Sequence, residues 1–110
     1  MPARADYLVL ARLALSAMCR LTSLEHAEVA DLKLAITEAA SGYVGDGVTP
    51  DAVVEFEFRL HDDRIEMTLD GDPVDHPAEE QEVSRAIAEA TVDEFERTGG
   101  HTVLVKRFAA

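Results

Sequence analysis

The feature that most constrains this chain is a pair of alternating runs on either side of a two-residue acidic turn. From Val53 to His61, Val54, Phe56, Phe58 and Leu60 fall on one side, while Glu55, Glu57, Arg59 and His61 fall on the other. After Asp62-Asp63 the alternation resumes, with Ile65, Met67 and Leu69 on the apolar side. A side-chain period of two marks a half-buried strand, and two such strands across a short turn form an antiparallel hairpin. One face of that hairpin is apolar and needs covering; the other is charged and faces water. Helices must therefore lie on one side only.

The flanking segments can supply that cover. Asp6 to about Leu21 reads as a helix, with Asp6 where a carboxylate favours the N-terminus. Leu10, Ala14, Ala17, Met18 and Leu21 form its expected inner stripe, and Leu8, Val9, Leu13 and Leu15 widen the apolar surface. So broad a surface is expected to lie partly in an interface, including one with a second copy. Thr22-Ser23-Leu24-Glu25 has the pattern of a capping box. A second helix is expected from there to about Val44, with Val29, Leu32, Ile36, Ala39 or Ala40, and Tyr43 inward, ended by Gly45-Asp46-Gly47 and Pro50. Asp70 to Pro77 is a loop by composition. A third helix is expected over about Glu79 to Arg97, with Val83, Ile87, Ala90 and Phe95 inward, stopped by Gly99-Gly100 and followed by a last strand from Thr102 to Phe108. The order α-α-β-β-α-β indicates a single α+β two-layer sandwich, with a small antiparallel or mixed sheet and helices on one face.

Charge narrows the partners. A formal net charge of −12 over 110 residues repels phosphate backbones and anionic membrane surfaces, so neither nucleic acid nor membrane is expected as a partner. A basic protein partner is favoured instead. No apolar run reaches the roughly 20 residues of a membrane-spanning helix. Cys19 is the single cysteine, which suits a reducing compartment, so the cytoplasm is expected. His26, His61, His76 and His101 have no metal-ligand spacing, and no serine lies in a Gly-x-Ser-x-Gly context.

The segment Leu32-Lys33-Leu34-Ala35-Ile36-Thr37-Glu38-Ala39-Ala40-Ser41-Gly42 resembles the N-box helix of the anti-sigma-factor serine kinases, within the GHKL (Bergerat-fold) ATPases. Pro2-Ala3-Arg4-Ala5-Asp6-Tyr7 and Ala11-Arg12-Leu13-Ala14-Leu15 resemble that family's lead-in and first helix. Ala86 to Phe95, Gly99-Gly100 and Thr102-Val103-Leu104-Val105-Lys106 resemble its last helix, turn and strand. The resemblance implies a histidine kinase-like ATPase fold and partners that are a sigma factor or an anti-sigma-factor antagonist. It also implies that Glu38 matches the general base, Asp70 the adenine-binding aspartate and Arg12 a first-helix arginine that contacts the sigma factor.

Two departures weigh against nucleotide chemistry. Gly42 stands where the family has the asparagine that holds magnesium, and glycine offers no side-chain oxygen to a hard cation. No Gly-rich box follows Asp70-Gly71-Asp72-Pro73, and Val74 to Glu80 holds three carboxylates and no glycine, a poor cradle for phosphates. The start departs as well: the strand that precedes the Pro-Ala segment in the family is not expected here, so the sheet should be one strand smaller, with an edge open for pairing or covered by a partner. The expectation is a binding regulator with no cofactor. The alternative is an active ATP-dependent serine kinase using ATP and magnesium in a rearranged site.

Overall fold

The two alternating runs pair as β1 (Glu55–Leu60) and β2 (Arg64–Asp70). The turn is closed by the His61 N–H donating to the Arg64 carbonyl at 2.8 Å. The computed structural model describes residues 2–45 and 51–108. Phe56 stands opposite Leu69 and Phe58 opposite Met67, and Ile65, Met67 and Leu69 are fully buried. Two further strands, β3 (Glu94–Thr98) and β4 (His101–Arg107), complete an antiparallel sheet of order β1-β2-β4-β3. Helices α1 (Leu8–Cys19), α2 (His26–Ser41) and α3 (Ala78–Thr91) form the second layer, with α2 packed against both others. The expected α+β sandwich, helices over one face of an antiparallel sheet, is the observed architecture.

The core lies where α2 crosses the sheet. Leu32, Ile36, Ala39, Ala40 and Tyr43 are buried as expected, Val29 is half-buried, and Ala35 joins the buried row; together they meet Ile65, Met67, Leu69 and Leu104. Burying a Leu, Ile or Met side chain of this kind contributes about 1.5–3 kcal/mol. Tyr43 adds polar anchorage: its hydroxyl lies 2.7 Å from Thr102 Oγ1 and donates to the carbonyl of Gly100 at 2.9 Å or of Leu69 at 3.3 Å.

Several element readings need correction. Helix α1 buries Ala11, Leu15 and Cys19, an i, i+4, i+8 row, whereas Leu10, Ala14, Ala17 and Leu21 are exposed. Apolar residues on several faces of the helix conceal which stripe is buried. Helix α2 starts later, with Glu25 as N-cap and the Glu25 N–H donating to Glu28 Oε1 at 3.2 Å. Thr22 serves the end of α1 instead, its hydroxyl donating to the Cys19 carbonyl at 2.7 Å. Of the residues expected to end α2, Asp46, Gly47 and Pro50 lie outside the described residues.

The largest correction is at α3, which stops at Thr91 and not near Arg97. Val92 turns extended, and Glu94–Thr98 becomes a strand paired with β4. Gly99-Gly100 is therefore a hairpin turn. Gly99 supplies its positive φ of 58°, a conformation that glycine adopts without a Cβ penalty. Val83 and Ala90, expected inward, are exposed; Ala88 and Thr91 are buried in their place. The edge strands are β1 and β3, and Pro2 and Ala3 pair with Val53 and Ala52 just ahead of β1.

Candidate functional site

A groove of about 780 Å³ opens between the last turns of α2, the first turns of α3 and strand β3. Its floor follows from the register of the β3–β4 hairpin. Because Phe95 pairs with Leu104 and Arg97 with Thr102, alternation sends Phe95 and Arg97 to the helix side. Arg97 Nη2 donates to the Ala39 carbonyl at 2.6 Å and Nε donates to Thr102 Oγ1 at 2.9 Å. Its guanidinium carbon lies 5.4 Å from the Tyr43 ring centroid and 5.9 Å from that of Phe95, within cation–π range. Burial pushes the Arg97 pKa down; the Tyr43 hydroxyl opposes this, and the like charge of Arg85 adds to it. An arginine nonetheless keeps its charge inside a protein.

Gly42 makes this arrangement possible. A β-carbon at position 42 would stand 2.5 Å from Arg97 Nη1 and 3.0 Å from the guanidinium carbon. With glycine as the C-cap of α2, the guanidinium lies directly against the helix end, where terminal carbonyls carry partial negative charge.

His76 closes one end of the groove. Its Nε2 lies 3.0 Å from the Ser41 carbonyl and 3.1 Å from that of Val44. Nδ1 lies 3.7 Å from Glu80 Oε2. The Gln81 amide donates to the His76 carbonyl at 2.7 Å, and the Val74 N–H donates to the Gly42 carbonyl at 2.8 Å. The loop before α3 is thereby tied to the end of α2.

Glu38 lines this groove. The chain is similar to serine-protein kinase RsbW of Bacillus subtilis (strain 168). The two are 28% identical over 102 residues, covering 89% of this chain and 64% of RsbW. A match of that extent takes in both groove helices wherever it begins. No family model matches the chain.

Of the three residues singled out by the sequence, only Glu38 is in the groove. Asp70 ends β2 with its side chain on the open face of the sheet, 2.5 Å from His101 Nδ1. Arg12 is exposed on α1, beside Leu13 at 61% exposure. Thus the structure does not bring Glu38, Asp70 and Arg12 together. Among the described residues, no three His, Cys, Asp or Glu side chains gather as a metal site, and no helix is long and apolar enough to cross a membrane.

Sequence reasoning missed Arg97, Phe95 and His76. A signal for the first two was present. Glu94 to Thr98 alternates, Gly-Gly follows, and an apolar run comes next, which is the pattern of a hairpin. The helix expected over about Glu79 to Arg97 runs six residues past its observed end at Thr91.

Proposed function

We propose that this chain is an anti-sigma-factor-like regulator that acts by stoichiometric binding to a sigma factor or to an anti-sigma-factor antagonist, without ATP binding or kinase activity. The observation that carries the reading is the seat of Arg97 against Gly42. In the family that the N-box resembles, this position supplies the magnesium-holding oxygen. Here it supplies none, and a fixed cation takes up the adjoining space. A magnesium ion brought there would meet the like charge of Arg97, and triphosphate would meet the carboxylates of Glu79, Glu80 and Glu82 that line the groove. The similarity to RsbW supports the anti-sigma-factor-like part of this reading.

The partner-binding part of the reading rests on α1. Val9, Leu10 and Leu13 are between 52% and 61% exposed, and Arg12 lies among them. An exposed apolar patch with one arginine is the composition of a contact surface, for a protein partner or for a second copy in a homodimer. The net charge of −12 suits a sigma factor's basic, DNA-facing region. The same reading places the protein in the cytoplasm.

Calorimetry with ATP and magnesium tests the first part: no heat is expected at high protein concentration, and micromolar binding would overturn it. A pull-down from the host at low and high salt tests the second. Recovery of neither a sigma factor nor an antagonist at low salt would defeat it. The position of Glu38 in the groove favours one other reading, an active serine kinase with a rearranged nucleotide site, and the same calorimetry decides between them.

A further inference from the structure

The groove combines an apolar strip with carboxylates that have no partner of their own among the described residues. Ala39, Ala78, Val83 and Phe95 give it an apolar strip, with Val83 58% exposed. The carboxylates of Glu38, Glu79 and Glu82 line it without an ion pair or side-chain hydrogen bond among the described residues. Its two arginines, by contrast, are already engaged: Arg85 with Glu89 at 2.8 Å, and Arg97 with Ala39 and Thr102. Four carboxylates, Glu38, Glu79, Glu80 and Glu82, line the groove against two guanidinium groups, Arg85 and Arg97, so its net charge is negative although the hydrogen-bond partners of Arg97 are neutral.

From this we infer that the groove is a docking site for a basic amphipathic helix of a protein partner. An apolar strip flanked by free carboxylates is complementary to a helix with an apolar face bordered by lysines or arginines. The groove walls are themselves helical and open along one side, so a ridge of i, i+3, i+4, i+7 side chains can lie between them. An anionic ligand is disfavoured by the same carboxylates. The site is distinct from the α1 surface, because α2 lies between α1 and α3. The inference rests on the reading of the chain as a binding protein and adds to it a surface and a partner chemistry.

The test uses the full chain and a fluorescein-labelled peptide of about 18 residues, with leucines on one helical face and lysines elsewhere. A second peptide carries glutamate at every lysine. At about 0.15 M salt, the lysine peptide is expected to bind, shifting amide resonances in residues 38–42 and 78–85, and the glutamate peptide is not. Val83→Asp is expected to weaken binding about tenfold or more, and E79Q/E82Q by about three- to tenfold. The control E55Q/E96Q removes the same charge from the open sheet face and should change affinity less than about twofold. Circular dichroism establishes that each variant is folded. Absence of binding overturns the inference, as does equal weakening by the two charge variants or indifference to Val83→Asp. A chain that captures a sigma factor or antagonist from its host yet ignores the peptide loses the groove site and keeps the regulatory role.

Discussion

Arg97 and Gly42 are fitted to each other across the floor of the groove, the guanidinium occupying the space that any β-carbon at position 42 would claim. The pairing joins a strand that sequence reading assigned to a helix with a helix end that it placed a turn too late. It also fixes a cation at the end of α2, with Ala39 and Thr102 as its hydrogen-bond partners.

Gly42→Ala is expected to displace the guanidinium and leave the fold intact, because the obstructing atoms are the tip of a flexible side chain. The cost should be about 1 kcal/mol, that of one hydrogen bond. Arg97→Met, which removes both bonds, should cost about 1.5–3 kcal/mol. In the Arg97→Met background the cost of Gly42→Ala should vanish, a coupling that a double-mutant cycle by urea denaturation measures directly. Additive effects would show that the two residues do not interact.

Tyr43→Phe removes the hydroxyl that ties the end of α2 to Thr102 and the Gly100 carbonyl. Thr102 is fully buried and would keep Arg97 as its remaining side-chain partner. The expected loss is about 1–3 kcal/mol of stability with unchanged secondary structure, read from the denaturant midpoint at constant slope.

Burial raises the Cys19 thiol above its ordinary pKa of 9.0, with the Lys33 ammonium opposing. The folded chain therefore keeps a thiol proton that the unfolded chain gives up. The stability linked to this group is whole below about pH 9 and is lost as pH climbs further. Between about pH 8.5 and 10.5, wild-type stability should fall more steeply than that of Cys19→Ala. Alkylation of the native protein at neutral pH should be slow, since the thiolate is the nucleophile and this thiol is buried and protonated.

Leu13→Asp and Arg12→Ala alter exposed α1 positions, so each should change stability by no more than about 0.5 kcal/mol. Both should reduce recovery of the protein partner at low salt, and Leu13→Asp should also shift any self-association seen by sedimentation. Unchanged recovery with both variants would remove α1 from the contact.

The hairpin, the order of the first five elements and the inner stripe of α2 were legible in the sequence. Each depends on local periodicity: Ile65, Met67 and Leu69 alternate, and Leu32, Ile36 and Ala39 recur at helical spacing, whatever else surrounds them. What the sequence left open was decided by competition between elements. Helix α1 is apolar on several faces, so only packing against the rest of the fold could choose Ala11, Leu15 and Cys19 over Leu10, Ala14 and Ala17. Glu94 to Thr98 can be drawn on a helix or on a strand, and the hydrogen bonds offered by β4 settled it as strand. The Arg97–Gly42 pairing belongs to the same category. It joins residues 55 positions apart, and the space left by a missing β-carbon becomes informative only when the strand register brings a guanidinium into it.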